Sequence, residues 1–334
     1  MDPQLQQRLM LLGGFIPGGI AFAALLVGWY IHAFRESRTD LDDEDDTRKP
    51  SPGPRWLLPI LLAVGVVGAD LAVNSKFQLW PDANSYRFPH AITLIALMAV
   101  AEGLVALPLF AVFFMRMLAY AGAFWMLSEG YTETVLAGST NLVAYTLFAA
   151  FATALFATSA DRIAKHNQHE RTLGWLDAIT WILIIAAMMP VLFVNNFAFG
   201  AMIPAGIIAV LSSATIVALI FRSFTLTRGG ITVLSGFVMM LLTGSLVQTG
   251  ADNLPSVLLI SILPLVVLIP LHTPSRIKRL IARVVLIAAV GGSGVLFAMG
   301  PQLKAWPGNS ADDQPQAGNP TGEQSLEDYY QNLE

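Results

Sequence analysis

The chain predicts an all-α, polytopic integral membrane protein of about ten transmembrane helices, with a disordered first inner loop and a disordered C-terminal tail. Three observations carry that prediction. Of its 334 residues, 55% are hydrophobic and 13% are charged, about half of the roughly 25% charge typical of a soluble domain. Several apolar runs reach the roughly 18–20 residues that cross a bilayer as a helix. Those runs also lack the charged outer faces that a soluble core helix turns toward water.

Ten apolar segments follow one another over residues 1–300: 10–33, 56–74, 90–115, 117–137, 141–159, 173–194, 198–221, 231–248, 256–272 and 281–300. The first is read as a transmembrane helix and not as a cleavable leader. Residues 1–10 hold Asp2 and Arg8 but no basic cluster, and the run to Ala33 is long enough to span. The fourth is the least regular. Met117 to Leu127 is apolar, but Ser128 to Glu133 is polar, so that helix is short or broken at its outer end. Fusing the third and fourth would give nine spans, bury Arg116 and reverse every later loop.

The distribution of basic residues favours ten. With the N-terminus outside, the inner loops hold Arg35, Arg38, Arg48, Lys49, Arg55, Arg116, Arg162, Lys165, Arg171, Arg222, Arg228, Arg276, Lys278, Arg279 and Arg283. That is 15 of the 19 basic residues, leaving Arg8, Lys76, Arg87 and Lys304 outside. The expected setting is a bacterial-type inner or plasma membrane with both termini on the outer side.

Two stretches differ in composition from the bundle. Residues 34–55 carry the acidic run Asp40-Leu-Asp-Asp-Glu-Asp-Asp46 followed by Pro50, Pro52 and Pro54. Like charges repel and prolines prevent regular pairing, so a disordered cytoplasmic loop is expected. It is a solvated linker or a docking site for a basic partner or divalent cations. Residues 301–334 form a flexible external tail, with one Lys against six acids from Gln302 onward. Its end reads as a short amphipathic helix capped by Ser325. Leu326, Tyr329, Tyr330 and Leu333 would share one face at i, i+3, i+4 and i+7. A ten-residue helix is marginal alone, so this face is a candidate for docking a protein partner, the bundle's own outer surface or lipid headgroups.

Carboxyl groups inside apolar runs are costly and are functional candidates by default. Asp70 lies in the second segment and Glu102 in the third. Gly65, Gly68, Ala69 and Ala72, and likewise Ala99, Glu102, Gly103 and Ala106, fall at i, i+3, i+4 and i+7. Small faces of this kind let helices approach closely, so Glu102 is expected in a helix–helix interface near the midplane. At 1.5 Å per residue the two acids are about 12 Å apart in depth, too far for a shared-proton dyad. They are a candidate proton, cation or substrate site, or else a hydrogen-bonded glutamate and an interfacial aspartate. The loop between them carries Phe77, Trp80, Tyr86 and Phe88, an interfacial aromatic belt.

Glu129 and Glu133 are weaker outer-face candidates for a cation site. Asp177 suits a helix N-terminus. His166 and His169 are spaced as helix metal ligands, but no further ligand is evident, and all five histidines fall at segment ends. Gly291-Gly-Ser-Gly294 is similar to the Gly-x-Ser-Gly pattern of rhomboid-type intramembrane proteases. That family also needs a later histidine, whereas the last one here is His272, before the serine; a close-packing patch is the simpler reading. The absence of cysteine removes disulfides, thiolate metal sites and cysteine nucleophiles. No phosphate-binding glycine loop is present. The basic residues follow membrane topology and form no nucleic-acid patch. No cofactor and no metal are expected.

Function is then open among three classes. One is a secondary transporter or permease-like protein using Glu102. Another is a non-catalytic membrane scaffold, sensor or accessory subunit of a membrane complex. The third, an intramembrane enzyme, has no assembled catalytic set behind it.

Overall fold

The computed structural model describes residues 3–42, 53–74, 79, 81, 87–105, 107–128, 139–168, 174–195, 197–221, 224–249, 254–269 and 276–304. It divides into two units, Met1–Ala298 and Met299–Glu334; in the second, only the helical residues 299–304 are described.

Every regular element among the described residues is helical. In order they are α1 (Pro3–Arg8), a π-helical stretch (Leu9–Phe15), α2 (Ile16–Asp42), α3 (Leu57–Asn74), α4 (Phe88–Leu104) and α5 (Leu109–Ser128). There follow α6 (Ser139–Gln168), α7 (Gly174–Val194), α8 (Ala198–Met202), α9 (Pro204–Ile220) and α10 (Gly230–Thr249). The chain ends in α11 (Leu254–Ile260), a 3-10 stretch (Leu263–Leu268) and α12 (Arg276–Lys304).

The expectation of ten membrane-crossing helices is corrected. Among the described residues seven helices are long and apolar enough to cross: Gln6–Arg35, Leu57–Asn74, Leu109–Ser128, Leu142–Lys165, Gly174–Val194, Gly200–Ile220 and Ile277–Gly300. The third, eighth and ninth apolar segments instead form shorter helices, Phe88–Leu104, Gly230–Leu246 and Leu254–Leu268. Proline explains two of the three. Pro108 has no N–H to give to the Leu104 carbonyl. The backbone turns extended at Val105 (ψ 132°), and the Pro108 carbonyl instead accepts the N–H of Val112, in the first turn of α5, at 3.1 Å. The boundary between the third and fourth segments therefore lies at 105–108, and Arg116 moves from a predicted loop into α5. Pro264 likewise cannot bond to Ile260, so α11 stops there and the chain winds on as a 3-10 turn. At the other end of the second segment, α2 runs to Asp42, so residues 34–42 of the predicted loop are helical. The remainder of that loop, 43–52, lies outside the described residues, as does the tail from 305.

α10 is the axis of one half of the bundle. Every residue from Gly230 to Leu241 is buried, and the helix packs against α4, α5 and α6. In the other half α9 packs against α2, α3 and α7. The α3–α9 contact is backbone on backbone: a Cβ added to Gly206 would run into the Gly65 carbonyl oxygen. Gly68 meets Leu12 of the π-helical stretch, and Gly13 of that stretch meets Ala69. The small face of the second segment thus serves α9 and the first helix. Outward faces carry Phe15, Phe110, Phe148 and Leu296, each at least 66% exposed. Apolar side chains left outside in such number suit a hydrocarbon solvent. Phe88, expected in an interfacial loop, opens α4 and is buried edge-on against Phe237, centroids 5.8 Å apart. Phe77, Trp80 and Tyr86 lie outside the described residues.

Candidate functional site

One end of the bundle gathers the start of α3, the end of α4, the start of α5, the end of α6 and the start of α10. Glu102 is three residues from the α4 C-terminus and 2% exposed. Arg116, eight residues into α5, is 1% exposed. The hairpin through Pro108 brings them face to face. Arg116 Nε donates to Glu102 Oε2 at 3.0 Å, and its Nη2 donates to Oε1, giving a two-point fork. Thr232 of α10 donates its hydroxyl to Glu102 Oε2 at 2.8 Å. The Thr232 carbonyl in turn accepts the buried Tyr120 hydroxyl of α5 at 2.8 Å. α10 is thereby clamped to both arms of the hairpin.

α6 completes the network. Arg116 Nη1 donates to Thr158 Oγ1 at 3.2 Å, and its Nη2 lies 3.8 Å from Asp161 Oδ2. Asp161 is 3% exposed. The same Oδ2 takes Lys165 Nζ at 3.2 Å, one helical turn further out, where the lysine side chain is 39% exposed. A line of alternating charge, Glu102–Arg116–Asp161–Lys165, therefore runs from the interior to the surface. Its formal charges cancel. Cancellation matters because each buried ion loses several kcal/mol of solvation, recovered only with good geometry and full hydrogen bonding.

A second buried pair ties α12 to the first turn of α7. Arg283 Nη1 donates to Asp177 Oδ1 at 3.1 Å and to Thr180 Oγ1 at 3.0 Å. Asp177 thus has a specific cationic partner besides the helix terminus expected for it. Gly291 faces Ala187, Gly294 faces Val191 and Ile260, and Ser293 donates to its own helix at Ala289. The glycine–serine tetrapeptide is a close-packing patch on α7 and α11.

Asp70 stands apart from all of this. It is 4% exposed and accepts a hydrogen bond from Asn74 Nδ2 at 2.7 Å. Gly103 abuts the Trp56 backbone at the start of α3, where an added Cβ would lie 3.0 Å from Trp56 N. Asp70 is fourteen residues further along α3, so about 21 Å at 1.5 Å per residue separates it from the Glu102 level. That exceeds the 12 Å taken from the sequence, because α4 ends at Leu104 and sets Glu102 near a helix end. Glu129, Glu133, and the face of Leu326, Tyr329, Tyr330 and Leu333 lie outside the described residues.

The sequence reading missed Asp161, Thr158 and Thr232, and it placed Arg116 in a loop. Arg116 had a usable signal: positions 102 and 116 are equidistant from residue 109, beside the turn proline. Residues equidistant from an antiparallel turn lie at the same height. The other partners are 42 to 130 residues away in sequence, and nothing local marks them.

Two apolar cavities flank the first helix. One of about 750 Å³ lies between the π-helical stretch, α2 and α9, and one of about 440 Å³ lies between α2, α3 and α4. Neither is lined by Glu102, Arg116, Asp161 or Asp70.

Fold and site together define a polytopic, all-helical membrane protein with a buried network of charges and hydrogen bonds between its helices. Comparison with protein-family models, curated proteins and solved structures returned no match.

Proposed function

We propose that the chain is a non-catalytic membrane scaffold, sensor or accessory subunit of a membrane complex, in which Glu102 is the structural counter-charge of Arg116. The observation behind this reading is the engagement of Glu102: it is 2% exposed, and three donors, two from Arg116 and one from Thr232, bond its two oxygens. A carboxyl that cycles protons or cations needs a path to water. The end bearing Arg55, Arg116, Arg228 and Arg283 is assigned to the inner side on the positive-inside rule.

A second reading, a secondary transporter using Glu102 and Asp70, draws on the interrupted helices at Pro204 and Pro264, since broken helices occur at transporter sites. One experiment separates the two. The purified wild type and Glu102→Gln are reconstituted in vesicles, and proton and sodium entry are followed with internal dyes. The scaffold reading expects no entry above empty vesicles and a lower unfolding midpoint for Glu102→Gln. Wild-type flux that Glu102→Gln abolishes at unchanged stability would overturn it.

A further inference from the structure

Beside the Glu102 network, at the same end of the bundle, lie the guanidinium groups of Arg55 and Arg228. Arg55 ends the turn that leads into α3, and Arg228 lies in the turn that leads into α10. Those turns are held together through their backbones. A Cβ added to Gly229 would lie 3.3 Å from the Arg55 carbonyl oxygen and 3.1 Å from that of Ala99. The turn before α10 is fixed from within as well: Thr225 Oγ1 accepts the Thr227 N–H at 3.0 Å, and Arg228 and Gly229 both take left-handed φ, 51° and 68°. Neither arginine can drift from the other without unpacking this junction.

Asp161, the acid that acts on Arg55, is already committed. Asp161 Oδ1 accepts the Arg228 backbone N–H at 2.6 Å, and its Oδ2 takes Lys165 and faces Arg116. Arg228 therefore meets Asp161 through its main chain, and its side-chain charge is additional. Arg55 Nε is buried and has no hydrogen-bond partner among the described residues. Burial, and then the Arg228 charge, hold the Arg55 guanidinium below its ordinary proton affinity, with Asp161 opposing in part. Among the described residues, four cations (Arg55, Arg116, Lys165, Arg228) stand against two anions (Glu102, Asp161) at this junction, two positive charges in excess.

We propose that Arg55 and Arg228 form a binding site for one phosphate group at this end of the bundle. Guanidinium forks match phosphate oxygens geometrically, and a phosphate supplies the missing charge and the missing acceptors at once. Trp56, next to Arg55 and 38% exposed, puts an indole at this level, as aromatic residues sit at lipid headgroups. The phosphate can belong to an anionic lipid or be free in solution. The site uses neither Glu102 nor its transport or scaffold role, so it stands or falls separately from the reading above.

The test uses the full chain in phosphatidylcholine nanodiscs and in nanodiscs containing phosphatidylglycerol. Thermal midpoints are followed while inorganic phosphate, or acetate at matched ionic strength, is titrated in. Ligand bound to the folded state raises the midpoint by mass action. A rise with phosphatidylglycerol alone assigns the site to a lipid headgroup; a rise with inorganic phosphate in phosphatidylcholine assigns it to the free anion. In either case Arg55→Gln/Arg228→Gln weakens the apparent affinity at least about tenfold, whereas Lys278→Gln, an exposed cation on α12, leaves it unchanged. Should the double variant not fold, Arg55→Lys keeps the charge, loses the fork and is expected to bind more weakly than the wild type. A wild-type midpoint indifferent to both phosphate sources, an equal response to acetate, or wild-type affinity in the variants would overturn the proposal.

Discussion

Removing one member of the Glu102–Arg116 pair strands the other in a buried setting, and the size of the effect follows from what each survivor still touches. In Arg116→Leu, Glu102 keeps only the Thr232 hydroxyl. Loss of one partner of a buried pair costs about 3–5 kcal/mol, and among the described residues no other cation hydrogen-bonds to Glu102. In Glu102→Gln, Arg116 keeps an amide oxygen, Thr158 and the Asp161 carboxylate at 3.8 Å. Its cost is therefore smaller, about 2–3 kcal/mol, the worth of a hydrogen bond to a charged group plus part of the stranding penalty. The double variant Glu102→Gln/Arg116→Leu buries no stranded charge at this pair, and Asp161 still has Lys165. It should be no less stable than the worse single variant, which gives a coupling of about 2–3 kcal/mol. Reversible unfolding in mixed micelles of rising SDS fraction, followed by tryptophan fluorescence, measures all four proteins. A coupling below about 0.5 kcal/mol, the scatter of independent sites, would refute the claim that the two side chains act as a unit.

Three further outcomes follow from named contacts. Lys165→Ala removes a half-exposed lysine one turn from Asp161, so it should cost at most about 1 kcal/mol and less as salt rises, read on the same unfolding curves; a loss like that of Arg116→Leu would contradict the surface character of that contact. Gly206→Ala drives a Cβ into the Gly65 carbonyl and should cost about 3 kcal/mol or more by overpacking, whereas Gly19→Ala, with nothing within 4 Å of its Cβ, should be neutral or gain up to about 1 kcal/mol of helix propensity. Arg283→Leu removes the hydrogen-bonded partner of Asp177 and leaves it only the more distant Arg279 charge, and hydrogen exchange should then speed up in the first half of α12 and the first turn of α7 while α10 stays protected; unchanged exchange in both would show that the pair does not hold α12 in place.

What could be read from the sequence, and what could not, divides along a physical line. Hydropathy found the apolar segments, because burying apolar surface depends on composition over a window and little on order. It could not see where the hydrogen-bond ladder breaks. Pro108 and Pro264 each delete one donor, and that single atom decides whether segments three and nine make a spanning helix or a shorter one. Charge placement failed in a related way. An arginine inside an apolar run reads as a loop boundary, since a lone charge in a span is costly. Arg116 and Arg283 are not alone, and each is balanced by an acid from another helix. Glu102 stands out in the sequence as a carboxyl in an apolar run, but the sequence does not show that its helix ends two residues later, at Leu104. Asp161 went unnoticed among residues given to a loop, because α6 runs nine residues beyond the predicted limit at 159.

The hairpin through Pro108 also bears on how such a chain enters a bilayer. An arginine or an acid carried alone to the middle of a span costs about 2.5–3.5 kcal/mol on insertion scales, and less near a helix end, where Glu102 lies. Here the two arrive fourteen residues apart, and the turn sets them opposite each other before α6 or α10 has been made. The nascent segment can leave the translocon as a neutral unit. Asp161 and Thr232 then find Arg116 and Glu102 already paired, and their later docking adds order to a charge that synthesis has by then neutralised.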